Sequence, residues 1–208
     1  VIVPMLRDVP EDAAIVDYCK ALQGELAKLS ACGEPVRALL DLKAAKATTK
    51  RWGWIKKGAP IVIEVGGRDV AGGNVSVIRR DRLYREDGKL DSAVVARGDF
   101  VGSVTATLEE VQGSMLAEAK ARLEANIARD VTDFAGLEKH FAEGVKNPGW
   151  VEAEWSKPSG AALDAVVEKL KSLKLTLRNV PQGAEPATGA CIFTGAPAVE
   201  RVLIARAY

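Results

Sequence analysis

Between Lys43 and Lys57 the chain carries six basic side chains, Lys43, Lys46, Lys50, Arg51, Lys56 and Lys57, and no acidic one. Elsewhere charge is balanced, with 29 Lys and Arg against 28 Asp and Glu, so any polyanion must be met by a local patch of this kind. If the segment is helical, Lys46, Lys50, Trp54 and Lys57 fall on one face, and Trp52 adds a second indole nearby. Cations can meet phosphates while an indole stacks on an unpaired base. Single-stranded RNA is held in this way, each stacked base contributing roughly 1–3 kcal/mol and each phosphate contact adding salt-sensitive affinity. The alternative is a solvated lysine-rich helix whose tryptophans pack inward, since tryptophan is largely buried on average.

A second cluster follows. Gly66-Gly-Arg-Asp69 and Ala71-Gly-Gly-Asn74 bracket the end of an apolar run, where glycine turns let a ligand approach the backbone. They match neither phosphate-cradling glycine pattern, so the default reading is a hairpin turn. Arg79-Arg-Asp-Arg-Leu-Tyr-Arg85 adds positive charge beside a possible stacking tyrosine, or is a solvated edge strand. Cys19, Cys32 and Cys191 are odd in number and far apart, which argues against a disulfide framework or a structural zinc site and fits a reducing, cytoplasmic setting. His140 has no Ser or Cys partner pattern and reads as a structural or surface residue. No segment approaches the roughly 20 apolar residues of a membrane span, so no membrane partner is expected. A first residue that is not Met, leading straight into a β-like run, suggests a chain cut from something longer.

The elements that must position these residues read as α/β. Val1–Val3 is a short strand; Ile15, Val16, Cys19, Leu22, Leu26 and Leu29 recur at helical spacing; Val36–Leu42 reads as a second strand, completing a right-handed βαβ unit. A helix from about Ala45 to Lys57 leads to strands at Ile61–Val65, Val75–Arg79 and Ala93–Ala96. Thr107-Leu-Glu-Glu110 has the form of a capping box opening an Ala-, Leu-, Glu- and Lys-rich helix, which places a domain boundary near Ala106: residues 1–105, then 106–208. Asp133 caps a helix reaching about Val145. Beyond it, Trp150–Trp155 alternates as a strand, Pro158-Ser159 opens another helix, and Leu175–Val180, Ala190–Phe193 and Val202–Ala205 supply three strands.

Read together, Lys50-Arg-Trp-Gly-Trp-Ile-Lys-Lys-Gly-Ala-Pro-Ile-Val-Ile-Glu-Val-Gly-Gly-Arg-Asp69 and Val75-Ser-Val-Ile-Arg-Arg-Asp81 resemble the anticodon-binding domain of prolyl-tRNA synthetases of the archaeal and eukaryotic type. That family shows a Trp, Lys-Gly-x-Pro, a Glu, Gly-Pro-Arg-Asp and Arg-Arg-Asp at this spacing. Cys191-Ile-Phe-Thr-Gly-Ala-Pro-Ala198 and Val202-Leu-Ile-Ala-Arg-Ala-Tyr208 resemble the close of the family's extra, zinc-binding carboxy-terminal domain. The resemblance implies a mixed five-stranded sheet with flanking helices, the class II synthetase anticodon-binding fold, then a helical connector and a small α/β domain. It implies tRNA anticodon recognition for prolyl-tRNA aminoacylation, with proline tRNA and the upstream catalytic domain as partners. Carried over by position, the base-contact candidates are Lys57, Glu64, Arg68 and Asp69. Arg68 suits a bidentate contact with a guanine edge, and Glu64 or Asp69 can accept from an amino group. An internal Arg68–Asp69 salt bridge is the alternative.

The departures from the pattern are specific. Ile55 stands where an acidic base contact is expected, Val62 where an arginine is frequent, and Gly67 replaces proline; Arg51 and Trp52 are the expected compensation. With Lys46 and Lys50 they complete the candidate surface. Four cysteines hold zinc in many family members, whereas here only Cys191 remains, with Thr194 and Ser156 at ligand positions, so no metal is expected. The terminal Tyr208 is expected to dock against the catalytic domain. ATP and Mg²⁺ belong to that missing domain, so no cofactor and no catalytic residue is expected here; alone the chain should be inactive, while the full-length protein should be a homodimeric ligase. The competing reading is a stand-alone adaptor that keeps a synthetase-derived fold.

Overall fold

Ile61–Val65 is apolar at all positions but Glu64, and it forms a fully buried central strand flanked by helices on both faces. The computed structural model describes residues 1–207; the docking role expected of Tyr208 lies outside the described residues. The chain divides into two compact units, Val1–Glu118 and Ala119–Tyr208.

The first unit runs β1 (Ile2–Pro4), α1 (Asp12–Leu26), a small hairpin of β2 (Ser30–Ala31) and β3 (Glu34–Pro35), α2 (Ala47–Lys56), β4 (Ile61–Val65), α3 (Gly67–Gly72), β5 (Asn74–Arg79), β6 (Ala93–Ala96) and α4 (Arg97–Ala125), whose last residues belong to the second unit. Its main sheet has the order β1-β4-β5-β6, with β1 parallel to β4 and the other pairs antiparallel. Side chains alternate across β4. Ile61, Ile63 and Val65 meet Ile15, Cys19, Leu22 and Leu26, the apolar stripe of α1, together with Phe100 and Val104 of α4. On the other face, Val62 packs with Val3, Ile78 and Ile55 of α2.

Four strands form where five are expected. The segment expected as the second strand touches the sheet at one parallel bridge, Leu40 to Ile2, through Ile2 N to Leu39 O (2.7 Å) and Asp41 N to Ile2 O (2.9 Å). β1 is only three residues long, and beyond Leu40 the chain is drawn off by Asp41, whose side chain bonds to α2. The glycine segment expected to be a plain hairpin turn instead winds into α3, closed by Gly73 in the left-handed region at φ 65°.

The boundary expected near Ala106 falls inside α4, a 29-residue helix. Thr107 does not cap a new helix; its hydroxyl donates to the Ser103 carbonyl one turn back (3.0 Å), and Glu110 is engaged by Arg79 (2.7 Å) and Arg82 (2.6 Å). With those partners available, neither side chain is free to act as a cap.

The second unit comprises β7 (Ile127–Ala128), α5 (Phe134–His140), β8 (Trp150–Trp155), α6 (Ala161–Ser172), β9 (Leu175–Leu177) and β10 (Glu200–Arg206), with sheet order β7-β8-β10-β9. Alternation in β8 buries Val151, Ala153 and Trp155 against Val166 of α6 and Val202 and Ile204 of β10. Asp133 caps α5, its carboxylate accepting from the Gly136 amide at 2.7 Å. Cys191, Ile192 and Phe193 are buried, yet not as the expected strand. Ala190 bridges Pro197, and the Gly195 amide donates to the Cys191 carbonyl (2.8 Å), folding the segment into a turn that needs Gly195 at φ 70°.

Candidate nucleic-acid interface

α2 forms where expected, but its basic residues do not share one solvated face. Lys50 is 7% exposed; its ammonium donates to the Asp41 carbonyl at 3.0 Å and lies 4.0 Å from the Asp41 carboxylate. The same carboxylate accepts from the Trp54 indole N–H (2.6 Å) and the Lys43 amide (3.0 Å). Burial pushes the Asp41 carboxyl up, but these donors and the Lys50 charge outweigh it and hold it below the usual carboxylate range. Lys50 thus pins the 41–45 loop to α2 and is buried, not on the solvated face expected of it. Burial of its ammonium is tolerated because the charge is paired. Lys57 remains exposed, with its ammonium 4.6 Å from the Trp54 ring centroid, and Lys46 is exposed at the N-cap of α2.

Arg51 turns toward the sheet and binds Glu64 of β4 through two parallel hydrogen bonds, 2.9 and 2.8 Å. Their side chains are 15% and 8% exposed, so both Glu64 oxygens are engaged internally. Asp69 is also engaged: it accepts from the Gly66 amide (2.8 Å) and the Ser76 hydroxyl (3.2 Å), fixing the start of α3. Glu64 and Asp69 therefore organise the strand end instead of standing free to accept from a base. Arg68, one residue earlier, is exposed, and it has no ion-pair or hydrogen-bond partner among the described residues. The internal Arg68–Asp69 bridge is not formed because Asp69 is drawn back onto Gly66 and Ser76.

Trp52 lies half-buried on the apolar cluster of Val62 and Ile78 and is stacked with Tyr84, the ring centroids 6.2 Å apart and the planes inclined by 24°. Tyr84 is itself 59% exposed. The arginine-rich segment around it is tied to α4. Asp81 accepts two bonds from Arg79 (3.1 and 2.8 Å) and one from Ser114 (2.9 Å), which lower its pKa against the opposing effect of burial. Sequence reading assigned neither Asp41 nor Asp81 an organising role: Asp41 is a single aspartate after an apolar run, and the Arg-Arg-Asp81 wording does not reveal the partner in α4.

In the second unit, the Cys191 thiol lies 3.7 Å from the Ser156 carbonyl. The donor set does not fit a thiolate zinc site: one cysteine faces a backbone carbonyl and a threonine, and no group of three or more His, Cys, Asp or Glu side chains able to hold a metal occurs among the described residues. No helix among the described residues is long and apolar enough to cross a membrane.

Residues 1–96, which hold α2 and the strand end bearing Arg68, match the family described as "Anticodon binding domain". Over all 208 residues the chain is 71% identical to a proline–tRNA ligase of Sphingomonas elodea and 64% identical to one of Sphingopyxis alaskensis. A Bdellovibrio bacteriovorus proline–tRNA ligase is 36% identical over the same span. The chain spans about two-fifths of the length of these relatives (41%, 39% and 40%). It shares its fold with the Cryptosporidium parvum prolyl-tRNA synthetase solved with L-proline and AMP: TM-score 0.73, 21% identity, covering 100% of this chain and 40% of that one. The chain is thus similar over its whole length to part of these proline–tRNA ligases, and its residues 1–96 match an anticodon-binding domain.

Proposed function

We propose that this chain recognises the anticodon of proline tRNA and so contributes specificity to prolyl-tRNA formation, acting with a catalytic domain on the same polypeptide. The observation that carries the proposal is the state of Arg68. Its guanidinium is exposed and unpaired among the described residues, on the first turn of α3, while the neighbouring carboxylates of Glu64 and Asp69 are bound to Arg51, Gly66 and Ser76. A planar five-donor group in that position is suited to the O6 and N7 acceptors of guanine. Lys46, Lys57 and Trp52 are the further contact candidates; Lys50, Arg51, Glu64 and Asp69 act by holding the framework.

Binding at the anticodon would place the distant acceptor end for reaction, spending binding energy remote from the chemistry. That chemistry, with ATP and Mg²⁺, belongs to the catalytic domain, and the reading includes a cytoplasmic homodimer of the archaeal and eukaryotic type. It also includes a second unit derived from the family's zinc-binding domain and held by its apolar core in place of metal. The test is a salt-dependent titration of the chain with proline tRNA and with the same tRNA carrying a changed anticodon. Tighter binding of the unaltered tRNA is expected; equal affinity for both refutes base reading.

A further inference from the structure

One concave site on the first unit shares only Lys57 with the contact candidates of the strand-end reading. Between the 41–45 loop and α2 lies a cavity of about 180 Å³, lined by Asp41, Lys43, Thr49, Gly53, Trp54 and Lys57. That is well below the roughly 300–1,000 Å³ of cofactor-sized sites and suits a single planar ring system. The Trp54 indole is fixed by its 2.6 Å bond to Asp41, so its orientation is set before any ligand arrives. Its ring packs against the apolar cluster of Val62 and Ile78 and also meets the exposed Lys57 ammonium, 4.6 Å from the centroid. Lys43 and Lys57 are both exposed.

Gly53 adds an independent observation. It stands inside α2, where glycine is the least helix-favouring residue apart from proline. Packing does not require it, because a Cβ placed there would meet no heavy atom within 4 Å. What the missing side chain does is leave the groove open beside Trp54.

We propose that this groove is a second RNA subsite, in which an unpaired nucleobase stacks on Trp54 while Lys57, displaced from the ring, and Lys43 meet the flanking phosphates. The inference rests on the RNA-binding reading but concerns a flank of α2 separate from Arg68. Stacking is sequence-tolerant because every base has a π-face, whereas Arg68 would discriminate.

The experiment compares Gly53→Leu, Gly53→Gln and Gly53→Ala with the unaltered chain, titrating proline tRNA and the anticodon-changed tRNA at several salt concentrations. The leucine and glutamine side chains extend into the groove from a Cβ that meets no heavy atom within 4 Å, and all three variants should melt no lower than the unaltered chain, since each favours a helix more than glycine does. The expected result is a loss of about tenfold for both tRNAs alike with leucine or glutamine, and no change with alanine. Lys57→Gln should lower the salt slope by about one. Unchanged affinity of folded Gly53→Leu and Gly53→Gln, with anticodon discrimination intact, would overturn the subsite and leave the Arg68 reading standing. Failure of the unaltered chain to bind either tRNA would overturn both.

Discussion

Removal of the Glu64 carboxylate separates a framework role from a base-reading role. Arg51 and Glu64 are joined by two bonds of 2.9 and 2.8 Å, with side chains 15% and 8% exposed. In Glu64→Ala the guanidinium keeps its charge but loses its partner beneath α2, and breaking a buried pair in this way costs about 3–5 kcal/mol. Because Arg51 retains some solvent contact, the lower end applies, about 3 kcal/mol. For a unit of this size each kcal/mol shifts the melting midpoint by about 4 °C, so the first unit should melt about 12 °C lower. The double variant Arg51→Met/Glu64→Leu, which replaces both charges with apolar groups, should recover to within about 1 kcal/mol of the unaltered chain. Circular dichroism melts of the unaltered chain, Arg51→Met, Glu64→Leu and the double variant measure the coupling directly. A fall of less than roughly 2 °C in Glu64→Ala, accompanied by loss of tRNA binding, would refute the reasoning, because the carboxylate would then be serving the ligand and not the framework.

Three further outcomes follow from other contacts. Asp69→Ala removes the acceptor for the Gly66 amide and the Ser76 hydroxyl and should cost about 1 kcal/mol in denaturant titrations, as loss of an N-terminal helix cap does. Asp41 and Asp81 both have lowered pKa values when folded, so the unfolded chain binds more protons as pH falls. Their contribution should be complete above about pH 5 and disappear as pH drops below about 4, and Asp41→Asn should flatten that part of a melting-point profile. Gly149→Ala should destabilise the second unit by about 2 kcal/mol or more, since φ is 70° and the added Cβ would press on the Asn126 carbonyl oxygen; a thermal scan reads this.

Much of the fold was legible wherever periodicity carried the signal. The stripe Ile15, Cys19, Leu22 and Leu26 and the alternation of Trp150–Trp155 formed as expected, because a single buried face dictates each. Local motifs failed where a distant partner intervened. Thr107-Leu-Glu-Glu110 has the wording of a capping box, yet Arg79 and Arg82 hold Glu110 and the helix passes through. At the site, the concentration of charge in α2 was visible, but not which cations are consumed internally. Lys50 and Arg51 are adjacent in sequence and take different partners, Asp41 and Glu64, because successive helical residues point about 100° apart. Arg68 stays free for a reason no spacing reveals: the competing carboxylate of Asp69 is bound backward to Gly66 and Ser76.

The most direct measurement is the ratio of affinities for proline tRNA and its anticodon-changed counterpart, determined at one salt concentration for the unaltered chain, Arg68→Lys and Arg68→Ala. A guanidinium reading a guanine edge predicts that the ratio collapses by roughly tenfold or more in both variants, even though lysine preserves the charge. A ratio unchanged in Arg68→Ala would contradict the account, because the one strand-end cation left free by its neighbours would then play no part in telling one anticodon from another.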